Sequence, residues 1–257
     1  MSERVNLPRR GSYGIDAPYA PAVIAAIIVV FAVLAIVAHN PGMLVSMAFM
    51  LAVLGSYLYT TLRGKHVVWA GLLARAKLRG DERILDLGCG RGAVLLLAAK
   101  QLSTGRAVGV DLWRSVDQSG NSIEATQRNA ATEGVADRID LHTGDMTALP
   151  FDDRSFDVVV SSLAVHNIGT PAGRDQAIAE AVRVLRPGGR LMLADIRATR
   201  RYQDRLAALG MLDVARRGLG WRFWWGGPWA ATHLVTATKP AAAWSDAPTE
   251  LDENDSR

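Results

Sequence analysis

Hydrophobic and polar positions change rhythm once, and sharply, along the chain. From Ala20 to Ala38 the residues read APAVIAAIIVVFAVLAIVA without a charge, and after His39-Asn40-Pro41-Gly42 a second uncharged run extends from Met43 to Leu62. Each run is close to the ~20 apolar residues that a helix needs to cross a hydrocarbon core. The pair therefore reads as a transmembrane helical hairpin over 20–62, with Tyr57 and Tyr59 near its end, where aromatic rings favour the interface. Arg4, Arg9 and Arg10 precede the first run, Arg63 and Lys65 follow the second, and the turn has neither Lys nor Arg. That asymmetry predicts a two-span membrane protein with both outer ends, and so the whole remaining chain, in the cytoplasm. A cleaved signal peptide would have a shorter core and no second span; a buried hairpin of a soluble protein is the other alternative.

Past Gly64 short β-rich runs alternate with helical stretches, the pattern of an α/β domain whose mostly parallel sheet is covered by helices on both faces. Strands are predicted over 83–87, 106–110, 138–142, 156–161 and 189–194, and helices over 92–102, 122–133, 174–185 and 200–209. Pro187-Gly188-Gly189 reads as the turn before the fifth strand. Two weaker strands, separated by a Gly- and Trp-rich turn, are expected within 211–239. The chain divides into a segment 1–19, the hairpin 20–62, the α/β domain 63–239 and an acidic, Ala- and Pro-containing tail 240–257 expected to be disordered.

Composition changes this picture in two places. Cys89 is the single cysteine, which excludes an intrachain disulfide framework and any site of several thiolates, and it fits a reducing compartment. The formal charge is +4, but the tail from Asp246 carries five acids against one Arg, so the rest of the chain stands at +8. Such a body suits an anionic leaflet or a nucleic acid, and charge by itself does not choose.

The candidate chemistry centres on Ile84-Leu85-Asp86-Leu87-Gly88-Cys89-Gly90-Arg91-Gly92, a strand running through an acid into glycines that open a helix. Glycines admit close backbone approach and positive φ, and the helix start offers free N–H groups. Gly88-x-Gly90-x-x-Ala93 also fits a dinucleotide-binding fingerprint, so a nicotinamide dehydrogenase is an alternative. Asp111 ends the second strand where an acid can bond both ribose hydroxyls, which either class would use. Asp145 after the third strand can accept from an adenine amino group while Met146 packs on the ring. Asp86 would repel a phosphate and attract an ammonium, which favours a nucleoside carrying a cationic amino acid over a pyrophosphate.

LDLGCGRG at 85–92, VGVD at 108–111, GDMTALPFDDRSFDVVVSSLAVHN at 144–167 and LRPGGRLMLADI at 185–196 together resemble the ubiquinone/menaquinone-biosynthesis-like (type 11) branch of class I S-adenosylmethionine-dependent methyltransferases, over 64–239. The resemblance implies a Rossmann-like sheet of seven strands, one of them antiparallel, with S-adenosylmethionine as cofactor. It assigns Asp86 and the 88–92 glycines to the methionine moiety, Asp111 to ribose and Asp145 to adenine. The cofactor set read in this way is Asp86, Gly88, Cys89, Gly90, Gly92, Asp111, Leu112, Asp145, Met146 and Ser162, with no metal. Gly64 to Trp69 resembles the cap that closes over the cofactor in this branch, and the loop Leu112–Gly120 is longer than the branch's usual turn.

Trp113 in that loop stacks on adenosine, walls the acceptor pocket or only pins the loop. Cys89 reads as a small packing residue rather than a nucleophile, since no base lies near it in sequence. His166 after the fourth strand is the candidate general base, against the alternative of a cofactor-wall residue. Trp221, Trp224, Trp225 and Trp229 form either the core of the last hairpin, an interfacial belt or an apolar acceptor pocket. Arg197, Arg200, Arg201 and Arg205 make a solvated helix face or anionic-lipid contacts.

The hairpin and the Trp cluster point to a membrane-anchored methyltransferase with a small or lipid-like apolar acceptor. Methylation of RNA or protein is the second reading; with no Asn-Pro-Pro-Tyr-type motif after Phe156-Asp157 and no RNA-binding module, no nucleic-acid partner is expected. A silent binding or scaffold protein is the third.

Overall fold

In the computed structural model, which describes residues 10–241, the first apolar run forms helix α1 (Tyr19–Val37) and the second forms α2 (Gly42–Tyr59). Arg4, Arg9 and the acidic tail from 242 onward lie outside the described residues. The two helices pack on each other and leave Val29, Ile36, Val45 and Phe49 exposed, with both long and apolar enough to cross a membrane. The second span does not stop at 62. A π turn over Thr60–Gly64 carries it into α3 (Lys65–Arg75), making one continuous rod from Gly42 to Arg75. The segment 64–69, expected as a cap, is thus the continuation of the second apolar helix into the domain. Gly64 is where that rod needs a missing side chain, because the Arg222 carbonyl occupies the place of a Cβ.

The seven strands are β1 (Arg83–Leu87), β2 (Arg106–Asp111), β3 (Ile139–Thr143), β4 (Phe156–Ser162), β5 (Leu185–Asp195), β6 (Leu212–Gly218) and β7 (His233–Thr238). They lie in one sheet in the order β3-β2-β1-β4-β5-β7-β6, parallel from β3 through β5, with β7 antiparallel to both its neighbours. Strand order reverses between β1 and β4, the point at whose carboxyl edge open α/β sheets bind ligands. Helices α4 (Leu95–Ala99) and α5 (Ile123–Glu133) join α3 on one face, and α6 (Pro171–Val184) and α7 (Thr199–Ala208) cover the other.

Central strands are apolar on both faces, as a sheet buried on two sides requires. Ile84, Val158, Val160 and Met192 enter the layer with α3 and α4, while Leu85, Val159, Leu191 and Leu193 enter the layer with α6 and α7. Asp86 shares the Ile84 side of β1, so a carboxylate stands in an otherwise apolar layer. Boundaries move where local chemistry sets them. Ser122 Oγ accepts from the Ala125 amide and Gly134 closes α5 at φ +71°. Thr170 caps α6 and Pro171 takes its first position, which starts that helix three residues before the predicted Arg174. Pro187-Gly188-Gly189, expected as a turn, is part of β5, held where the Gly188 amide donates to the Lys239 carbonyl.

Candidate cofactor and catalytic site

The glycine loop leaves β1 at the switch point. Gly88 and Gly90 have φ of +69° and +50°, and a side chain at either would strike Ala164 or Gln118. The Gly88 amide donates to the Val110 carbonyl at 2.8 Å, which pins the loop to the end of β2. Asp86, 1% exposed, lies just before this bend. Among the described residues neither of its carboxylate oxygens makes a hydrogen bond of ordinary geometry. Burial first, and the Asp111 charge second, push its carboxyl well above the usual range; the Leu95 amide and the Lys65 ammonium offset only part of that. A polar group buried without a partner is costly, so a waiting cation is the physical reason to keep it.

Asp111 stands at the end of β2 as expected and also organises the loops. Its Oδ2 accepts from the Gly90 amide at 2.8 Å, and its Oδ1 from the Trp113 amide at 2.6 Å and Asn121 Nδ2 at 3.2 Å. Each oxygen keeps acceptor capacity. Trp113 sits beside it with φ +56°, its indole N–H on Thr143 Oγ1 at 2.8 Å, so it ties β2 to β3, and Leu112 is exposed. Asp145 follows β3, exposed, with Oδ1 taking the Thr147 amide and hydroxyl, while Met146 reaches toward Gly88. Ser162 Oγ accepts the indole N–H of the fully buried Trp69 at 2.9 Å, which fastens α3 across the end of β4. Cys89 turns its thiol inward against Gly109; burial, then Asp86 and Asp111, push that thiol up, as befits a packing residue.

His166 lies in a short 3-10 turn after β4 and meets a residue the motifs contained but sequence reasoning did not single out. Its Nδ1 is 2.6 Å from Oδ1 of Asp195, the last residue of β5, and its amide donates to Asp195 Oδ2 at 3.1 Å. Asp195 is 2% exposed and also accepts from the Ile196 amide and the Tyr202 hydroxyl. The signal available was an acid at the end of a strand on the ligand edge.

A second group was not legible at all. Residues 10–17 run across the loop 112–120, bridging Asp16 to Gln118, with Ile15 and Ser119 exchanging hydrogen bonds. The Asp16 carboxylate takes Lys65 Nζ at 2.6 Å, Thr61 Oγ1 at 2.8 Å and Gln118 Nε2 at 3.0 Å, and Gln118 in turn accepts the Arg91 amide. The unusual length of 112–120 is explained by this strap, which it carries.

The tryptophans of the last connection lie along the second apolar helix. Trp221, Trp224 and Trp225, read as candidate walls of an acceptor pocket, make their contacts along α2: Trp221 stacks on Tyr59, Trp225 meets Tyr57 edge-on, and the Trp224 carbonyl accepts Ser56 and Thr60 hydroxyls. Trp221 and Trp225 have aromatic partners on the helical hairpin, and Trp225 also packs against the core layer that holds Trp69. Arg201 pairs with Asp175 rather than standing free.

Tested against this geometry, an adenosyl sulfonium with an amino-acid tail fits: an orphaned buried carboxylate, a glycine bend stripped of Cβ atoms and an acid at the ribose position converge at one switch point. A pyrophosphate does not, since Asp86 would face it. Fold and site resemble those of class I S-adenosylmethionine-dependent methyltransferase domains. Residues 84–189 match the family described as "Methyltransferase domain". The chain is 35% identical over 133 residues to the ubiquinone/menaquinone biosynthesis C-methyltransferase UbiE of Roseobacter denitrificans, covering 51% of this chain and 50% of that protein. It is 34% identical over 131 residues to the demethylmenaquinone methyltransferase of Lactiplantibacillus plantarum, covering 50% of this chain and 52% of that one. The chain thus spans about half the length of these curated relatives. The crystal structure of the [4+2]-cyclase SpnF superposes with a TM-score of 0.55 at 21% identity, covering 67% of this chain and 80% of that one, a likeness of fold alone.

Proposed function

We propose that this chain is a membrane-anchored S-adenosylmethionine-dependent methyltransferase with a cytoplasmic catalytic domain, acting on a small or lipid-like apolar acceptor. The observation that carries it is the unpartnered Asp86 carboxylate buried under the glycine loop. Asp86 would receive the ammonium of the methionine part, the 88–92 backbone its closest approach, Asp111 the ribose hydroxyls, and Asp145 with Met146 the adenine. When bound, the cofactor supplies an electrophilic methyl group on a cationic sulfur. The protein's work is alignment and exclusion of water, for which orientation contributes up to ~7–11 kcal/mol of barrier reduction. Trp69, locked to Ser162, closes one side. His166 takes the acceptor's proton at Nε2, and Asp195, bonded to its amide and facing its Nδ1, is the positioning residue that holds ring and loop together.

The relatives' printed names concern quinone biosynthesis, and the apolar hairpin suits a quinone-like acceptor that resides in lipid. The test is transfer of labelled methyl from the cofactor into a whole-membrane extract incubated with the purified full chain. Label in the organic phase is expected. Label confined to the RNA or protein fraction would contradict the acceptor class, and cofactor binding without turnover would support the scaffold reading instead.

A further inference from the structure

The loop joining β6 to β7 is built as a membrane element. From Phe223 to Thr232 it reads FWWGGPWAAT, ten residues without a charge, yet it belongs to the catalytic domain. It climbs along α2: Trp221 stacks on Tyr59, the Trp224 carbonyl sits over Ser56 and Thr60, Gly226 packs at Val53, and Trp229 meets Phe49 with ring centroids 5.9 Å apart. At 1.5 Å per residue, the helix between Phe49 and Tyr59 is ~15 Å long. If the hairpin spans ~30 Å of hydrocarbon from its turn at 39–42, Phe49, Val53 and Ser56 are inside that layer. A loop fastened to them is inside it too.

The loop's polar groups are arranged for such a place, where backbone without water must find partners within the protein. Trp225 and Ala230 pair N–H to carbonyl at 3.0 Å, Thr232 donates to Phe223 at 3.1 Å, and the Trp225 indole N–H reaches Thr232 Oγ1 at 3.1 Å. The hydroxyls of Ser56 and Thr60 both donate to the Trp224 carbonyl. Trp229 and Trp221 nevertheless stay 66% and 55% exposed, aromatic area that water would penalise and lipid accepts. Arg222, over the Trp221 ring at 4.7 Å, marks the charged end nearest the domain.

We infer that residues 223–232 enter the bilayer from its cytoplasmic side beside α2, forming a third lipid-embedded element that seats the catalytic domain on the membrane. Phe223 and Trp225 pack in the same core layer as Trp69, so the embedded loop is continuous with the wall of the proposed site. The inference rests on the membrane-anchor reading, and its test separates the two. Nitroxide labels are placed one at a time by Trp229→Cys, Trp221→Cys, Val33→Cys and Leu212→Cys in the full chain, the buried Cys89 serving as silent background. Accessibility to oxygen and to a water-soluble nickel chelate is then read in vesicles of phosphatidylcholine and phosphatidylglycerol. Expected are labels at 33 and 229 in hydrocarbon, 221 at the interface and 212 in water. A label at 229 in water while 33 is in hydrocarbon overturns the inference and leaves the anchor intact. A label at 229 shielded from both reagents means protein covers the loop, and overturns it as well. A label at 33 in water overturns the anchor reading and with it this one.

Discussion

At the scale of single residues, Asp86 sets function against stability. Its carboxyl is held well above its ordinary range by burial, so the folded chain keeps a proton that the unfolded chain releases above pH ~3.9. The penalty therefore grows as pH rises from about 4 and levels off above the raised value. Asp86→Asn should make the cofactor-free protein more stable at neutral pH, by about 1–3 kcal/mol, and should weaken cofactor binding. Denaturant unfolding of the two proteins should converge at and below pH ~4; an Asn variant that is less stable at pH 7 would contradict this account of the site. For the His166 pair, His166→Gln should lower kcat by ~10²-fold or more with cofactor affinity unchanged, and Asp195→Asn should follow it. If Asp195 merely braced the fold, cofactor affinity and melting temperature would fall together with kcat. The three ligand-edge acids and His166 were legible because strand ends and motif spacing expose them. Asp195 was visible as a strand-end acid, but its contact with His166 depends on β4 and β5 being neighbours, which no local pattern states.

At the scale of elements, the strap is the feature that sequence rhythm could not show. Residues 10–17 have no regular structure of their own, apart from the isolated bridge at Asp16, and are ordered by side chains more than a hundred positions away. Glu133 is the principal anchor. It accepts the Arg10 and Gly11 amides, the Tyr13 hydroxyl and the Lys100 ammonium. Burial alone would raise its carboxyl; these bonds outweigh that and hold it at about 2. Since the folded value lies below the unfolded one, the stabilisation is complete above pH ~4.5 and is lost as pH falls toward about 2. Glu133→Gln should cost about 2 kcal/mol at pH 7, and urea unfolding should show that deficit shrinking between about pH 5 and 2. A deficit independent of pH would mean the strap does not depend on that charge. The alternating strands and helices, in contrast, were legible in order and type, and where capping residues such as Ser122 and turn glycines such as Gly134 act locally their ends were legible too, whereas α4 is shorter and β5 longer than expected.

At the scale of the whole molecule, the hydrophobic pattern suggested two separable parts and the structure joins them. The rod from Gly42 to Arg75 and the strap before α1 connect the apolar hairpin to the ligand edge, and the tryptophan loop ties the last two strands to the hairpin. That union was hidden because helix continuity through Gly64 and the docking of 221–232 on α2 depend on contacts between distant segments. The architecture puts an apolar hairpin and the proposed cofactor site on one continuous helix, as the proposed enzyme drawing an apolar acceptor from a membrane would need. The central claim is that Asp86, Asp111 and the glycine loop bind S-adenosylmethionine. It is tested most directly by calorimetric titration of the detergent-purified full chain with the demethylated cofactor product, alongside Asp111→Ala. Binding in the range of ~1 µM to 1 mM usual for enzymes and their substrates, weakened at least ~10-fold by the substitution, is the predicted result. A folded wild-type protein that gives no heat, or equal binding by both proteins, would contradict it.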